Sequence, residues 1–182
     1  MKRFCLIGVK GIGKTHLVKS ILTQIPQIVY IVGSEILKEL AGEEFKEFDF
    51  LSTEKKRDYR ISAIESFREI QNRTKKSILV DGHTILYNPI TDKVESVFTE
   101  SDCLFYSDLI LYDLKPSIVY QRRLNDKTKT RNLIIDLIKK ELEYERKEAR
   151  RIAKEYNMKL HYLMNTKFEL IQQKLIDILI TG

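Results

Sequence analysis

The sequence predicts an α/β fold: a three-layer α/β/α sandwich built on a five-stranded parallel sheet. Three observations predict it. Apolar runs of strand length alternate with amphipathic stretches of helix length along the 182 residues. Four of the five candidate strands, at 3–8, 28–33, 77–81 and 108–113, are near-continuous in Ile, Leu, Val and Tyr, as strands buried on both faces of a parallel sheet are. The first strand also runs directly into a glycine-rich turn and a helix, which opens a right-handed crossover.

Each element has its own signal. Residues 3–8, preceded by Lys2 and Arg3, resemble a secretory leader, but Lys10 ends the apolar stretch early and no small-residue cleavage site follows. They read as a buried strand, followed by a helix over 14–24. The second strand leads to a short helix over 34–40. Ser52 is placed to cap a long helix over 53–74, whose buried face carries Ala63, Ile64, Phe67 and Ile70. After the strand 77–81, residues 84–107 are the least regular part and read as a long functional loop or small insert. Pro116 opens a helix at a favourable first-turn position. Ile135, Ile138, Leu142, Ala149 and Ile152 recur at helical spacing over 133–156, and Asn157 ends that helix. The strand over 159–164 is weaker because of His161, and a helix over 168–179 completes the chain. No domain boundary is visible, so 1–182 reads as a single domain.

Composition narrows the function. Hydrophobic residues at 43% and charged residues at 32% exclude a disordered or fibrous chain. No apolar run approaches the ~18 residues of a membrane helix. Two cysteines, Cys5 and Cys103, form neither a disulfide framework nor a zinc site and predict a reduced, cytoplasmic protein. The net charge of +6 is concentrated: residues 1–20 carry +5, residues 114–132 carry +5, and the remainder sums to −4. That distribution favours a local phosphate-binding cleft. The charge admits nucleic acid as a partner, but no RNP-like motif of stacking aromatics favours it.

The cleft has a specific signature. Gly8-Val9-Lys10-Gly11-Ile12-Gly13-Lys14-Thr15 matches G-x-x-x-x-G-K-[ST] between a strand and a helix, the phosphate loop of P-loop proteins. Gly8, Gly11 and Gly13 let successive backbone N–H groups turn inward at phosphate oxygens, with Lys10, Ile12 and His16 contributing to the same loop. Lys14 can reach the β- and γ-phosphates of ATP, and the Thr15 hydroxyl can ligate Mg²⁺. His16 by its ring alone reads as packing or solvent. Ser77-Ile78-Leu79-Val80-Asp81 ends a strand in a carboxylate suited to the second Mg²⁺-organising position, or to plain capping. Arg122, Arg123, Lys127, Lys129 and Arg131 follow the fourth strand, where ligands of parallel sheets collect. They form a nucleotide-facing arginine segment or a solvated basic face.

With these pieces the chain resembles the nucleoside monophosphate kinase branch of P-loop proteins, and most closely the archaeal-type adenylate kinases. The resemblance runs from Met1 to about Tyr156. It rests on residues 8–15, Gly33-Ser34-Glu35-Ile36-Leu37, Leu51-Ser52-Thr53-Glu54-Lys55-Lys56, Ile78-Leu79-Val80-Asp81-Gly82-His83, and Arg122, Asp126, Arg131 and Asn132. It implies a P-loop sheet of order 2-3-1-4-5, an acceptor-binding region around 34–74 and a short lid around 123–132. It also implies Ser34 and Lys38 beside the acceptor nucleotide, Asp81 and His83 between the two nucleotides, and Arg122 and Arg131 lining the lid. Lys14, Arg122 and Arg131 then carry the catalytic charge, and Arg123 joins the nucleotide site.

In such a kinase the nucleophile is a phosphate oxygen, so no general base is needed. A kinase of a 5′-hydroxyl or small-molecule hydroxyl would need a carboxylate near the acceptor, and Glu35 is the candidate, although an acid in a first helical turn has a plain structural reading. A third reading is an ATP-hydrolysing regulatory switch. His16, His83 and His161 are too scattered for a metal site, and only His83 falls in a family-like position.

Overall fold

Why the central strand can be apolar on both sides is visible in the computed structural model. β1 (Arg3–Ile7) lies in the middle of the sheet. On one face Phe4 and Leu6 share a core with Leu17, Val119 and Leu175; on the other Cys5 and Ile7 share one with Ile64, Phe67 and Ile152. Burial on both faces removes the alternation expected of a half-exposed strand. The structure describes residues 1–88, 93–127, 131–165 and 167–181. Residues 89–92 of the expected irregular loop and 128–130 of the expected lid, with Lys129, lie outside the described residues.

The chain continues through α1 (Lys14–Lys19), β2 (Ile28–Val32), α2 (Gly33–Ala41) and a 3₁₀ segment (Gly42–Phe50) to α3 (Thr53–Thr74) and β3 (Ser77–Asp81). It then forms β4 (Ile85–Asn88), β5 (Lys93–Ser96), α4 (Glu100–Phe105), β6 (Asp108–Tyr112) and α5 (Pro116–Asn125). The last elements are α6 (Ile135–Glu155), β7 (Lys159–Leu163) and α7 (Phe168–Thr181). The sheet has the order β2-β3-β1-β6-β7, with every neighbour pair parallel. Counting only its own five strands, this is the expected 2-3-1-4-5.

Several expectations change in detail. The first helix stops at Lys19, and only a 3₁₀ turn at Leu22–Gln24 follows, not a helix to residue 24. The helix expected from residue 133 starts at Ile135. It ends at Glu155, and Asn157 follows in the left-handed conformation at φ 52°. Residues 84–107 are more regular than expected: β4 and β5 pair antiparallel as a hairpin, and Thr99 and Asp102 form a capping box that starts α4. Four-residue strands are too short to show a clear period. Cys5 and Cys103 are both buried and free. No helix among the described residues is long and apolar enough to cross a membrane.

Candidate functional site

The connections that leave the carboxyl ends of β1, β3 and β6 meet around the glycine-rich turn. Two glycines there are required by close approach. Gly11 has φ +80°, and a Cβ on it would lie 2.9 Å from Arg123 Cγ and 3.0 Å from Arg131 Cδ. Gly13 has φ +96°, and a Cβ on it would lie 2.8 Å from Arg122 Nη1. Three arginines therefore press on the loop from the α5 side, and only a chain without side chains at these positions fits beneath them.

Beneath the loop lies a buried polar cluster. Lys14 is 6% exposed; its Nζ donates to the Gly8 carbonyl at 2.7 Å and lies 3.6 Å from Asp81 Oδ1. Burial pulls the Lys14 ammonium below its usual value, while the Asp81 carboxylate pushes back up. The Thr15 hydroxyl donates to Asp81 Oδ2 at 2.8 Å, and the Tyr30 hydroxyl donates to the same oxygen at 3.0 Å. Burial first, and the Asp81 charge next, hold the Tyr30 phenol far above its ordinary range, so it remains a donor. His83 Nδ1 lies 2.9 Å from the Gly8 carbonyl and 3.3 Å from Lys14 Nζ. Burial, with the Lys14 charge second, keeps His83 well below the usual imidazole range; the ring is neutral at pH 7. Its role here is to brace the phosphate loop against the turn that follows β3.

The arginine segment divides in two. Arg123, expected among the nucleotide-binding residues, is 4% exposed and turned away from that task. Its Nε and Nη2 donate to the Lys10 carbonyl at 3.0 and 2.7 Å, and its Nη2 meets Glu141 Oε2 at 2.5 Å. The guanidinium is a clamp that ties the phosphate loop to α6. Arg122 donates to the Ile12 carbonyl and, at 2.9 Å, to the Tyr112 hydroxyl. Arg131 lies over Gly11, with Nε 3.2 Å from Asp126 Oδ2.

The remaining expected residues are scattered. Ser34 and Lys38 are exposed on α2, and the β2 side chain that reaches Asp81 is Tyr30. The His16 ring is exposed and stacks on Phe168 at 5.4 Å, away from the polar cluster. Sequence reasoning missed Tyr30, Tyr112 and Glu145. A tyrosine inside an apolar strand was the available signal for the first two. Glu145, 1% exposed on α6, accepts the Thr84 N–H at 2.9 Å. Burial pushes its carboxyl above the ordinary value. It occupies a core-facing position of an otherwise charged helix, which the pattern alone does not distinguish from the helix's many exposed acids.

Among the described residues there is no group of three or more His, Cys, Asp or Glu side chains that could hold a metal ion. The Thr15 hydroxyl and Asp81 carboxylate, 2.8 Å apart, nonetheless suit Mg²⁺. This ion takes one or two protein oxygens and completes its shell with phosphate oxygens and water.

A family model described as an AAA domain matches residues 7–139. The chain belongs to the AAA domain family. The match includes the phosphate loop, Asp81, the arginine segment and the first residues of α6. No curated protein matches this AAA domain in sequence. Among solved structures, a shikimate kinase from Bacteroides thetaiotaomicron is similar at TM-score 0.63 and 16% identity, covering 98% of each chain. A gluconokinase from Sinorhizobium meliloti 1021 is similar at TM-score 0.57 and 16% identity, covering 99% of this chain and 92% of its own. A sugar kinase from Janibacter sp. HTCC2649 is similar at TM-score 0.62 and 10% identity, covering 97% and 92%. At these identities the likeness is one of fold.

Proposed function

We propose that this protein is an ATP-dependent phosphotransferase that moves the γ-phosphoryl group of ATP to a small acceptor, and that the acceptor is a nucleoside monophosphate such as AMP or dAMP. The observation that carries the reading is the convergence of Lys14, Thr15 and Asp81 beneath a glycine loop flanked by Arg122 and Arg131. In this reading Lys14 exchanges the Gly8 carbonyl for the β- and γ-phosphate oxygens. Thr15 and Asp81 hold Mg²⁺, which neutralises charge on those oxygens. Arg131 and Arg122 offset charge on the transferring group in a cleft where water is excluded. Ser34, Lys38, Asp81 and His83 face the acceptor.

The acceptor follows from which carboxylates are free to take a proton. Asp81 is engaged by Thr15, Tyr30 and Lys14, and Glu145 by the Thr84 N–H. A phosphate nucleophile is already ionised at neutral pH and needs neither. One observation favours a second reading, transfer to a hydroxyl: Glu35 is exposed, yet close enough to raise the Tyr30 phenol. The shared fold with a shikimate kinase and a gluconokinase supports that reading equally.

The test is ADP formation from ATP and Mg²⁺ with ribo- and deoxynucleoside monophosphates, shikimate, gluconate and a 5′-hydroxyl oligonucleotide. Stimulation by AMP or dAMP is expected. Stimulation by a hydroxyl acceptor alone transfers the assignment to the second reading. Equal ADP with and without every acceptor defeats both and leaves an ATPase or switch.

A further inference from the structure

The β4–β5 hairpin leaves the site directly after His83, and it carries a carboxylate back onto α3. Glu95, on β5, is opposite Leu86 in the hairpin register. Its Oε1 accepts from both Nη1 and Nη2 of Arg60 at 3.2 Å each, and its Oε2 lies 3.8 Å from Lys56 Nζ. The two cations are one turn apart on α3, with side chains only 12% and 13% exposed, while the Glu95 side chain is 38% exposed. Topology puts this cluster at the carboxyl end of the sheet: α3 runs from the α2 side back to the start of β3, so its first turns lie at the end from which the hairpin emerges.

The pairing is poor for groups so well covered. A guanidinium fork matches a carboxylate or phosphate best through two parallel bonds to two oxygens. Here both arms converge on one oxygen, and the second oxygen stands at a long distance from the lysine. Two cations face one carboxylate. The nearest further acid, Asp102, feels Arg60, but its oxygens are engaged by the Thr99 N–H and hydroxyl and burial pushes its carboxyl up. A dianionic oxyanion would satisfy the pair better than Glu95 does.

We propose that Lys56 and Arg60 form a binding site for an oxyanion group of the acceptor, and that Glu95 occupies it as a stand-in that the acceptor displaces. The hairpin is then held against α3 until an anionic acceptor arrives, and neutral acceptors are rejected because they cannot release it. This rests on the phosphotransferase reading above, deepening it by giving the acceptor an obligatory phosphate or carboxylate apart from the reacting atom.

The experiment titrates inorganic phosphate into the protein saturated with Mg²⁺ and AMP-PNP, so that the phosphate loop is filled. Glu95→Gln is expected to bind phosphate about tenfold more tightly than the wild type. Adding Arg60→Met to that variant is expected to abolish the gain. If Glu95→Gln does not fold, Glu95→Asp, which withdraws the carboxylate by one methylene, is read in the same way. Equal phosphate affinity in the wild type and the folded Glu95 variant overturns the proposal and leaves an ordinary structural ion pair. Failure of AMP-PNP to bind the wild type counts against the phosphotransferase reading instead, and the phosphate titration without nucleotide then decides the hairpin.

Discussion

Arg123 and Arg131 stand eight positions apart in a single basic stretch, and their surroundings give them opposite work. Arg123 has its Nε and both Nη groups engaged, and its ion pair with Glu141 is nearly fully covered, with side chains 2% and 13% exposed. Removing one partner of such a pair leaves an uncompensated buried charge, a loss of about 3–5 kcal/mol. Arg131, by contrast, pairs with Asp126 near the surface, at 17% and 25% exposure. Its removal leaves the core intact and deletes a charge beside Gly11. Arg123→Met is therefore expected to lower unfolding stability severely in urea titrations. Arg131→Ala is expected to keep wild-type stability and lower turnover far more than ATP affinity. Unchanged turnover in Arg131→Ala would remove that residue from the chemistry.

At the scale of the element, α6 is the unit that joins the site. Within two turns it presents Glu141 to Arg123, Glu145 to the Thr84 N–H and Arg146 to Asp113, the last through bonds of 2.6 and 3.1 Å. Each contact ends on a different loop: one on the phosphate-loop side, one after β3 and one after β6. Glu145→Ala would leave the buried Thr84 N–H without its acceptor, at a cost of about 1–3 kcal/mol. Glu145→Gln keeps an acceptor oxygen and is expected to lose much less, as chemical denaturation would show. These contacts also mark where sequence reading stops. The strands, the phosphate loop and Asp81 were legible because apolar continuity and glycine spacing are local signals. The division of labour among Arg122, Arg123 and Arg131 was not, because it depends on Lys10, Tyr112 and Glu141, which reach the arginines through the fold. The hairpin was hidden for a related reason: each strand is half the length at which a period of two becomes visible.

For the whole molecule, the opposite end of the sheet sets how folding responds to acid. Asp108 begins β6 with a side chain that is fully buried, and it accepts from His161 Nε2 at 2.8 Å and from Lys2 Nζ at 3.4 Å. It joins the amino ends of three strands, far along each strand from the phosphate loop. Burial raises the Asp108 carboxyl, but the hydrogen bonds from His161 and Ser107 and the Lys2 charge outweigh it, so the folded value is depressed. A carboxylate depressed in the folded state stabilises at every pH above its unfolded value of about 3.9. That stabilisation is lost as pH falls from there through the folded value. Asp108→Asn removes the charge yet keeps an acceptor for His161, so it isolates the ionic part. At neutral pH it is expected to cost about 1–2 kcal/mol, a Tm lower by about 2–8 °C for a chain of this length. In urea unfolding repeated from pH 8 to pH 3, the gap between wild type and variant should hold constant down to about pH 4 and close below it. A gap that persists unchanged at pH 3 would mean that Asp108 acts through packing, and that the acid response of the fold is set by other carboxylates.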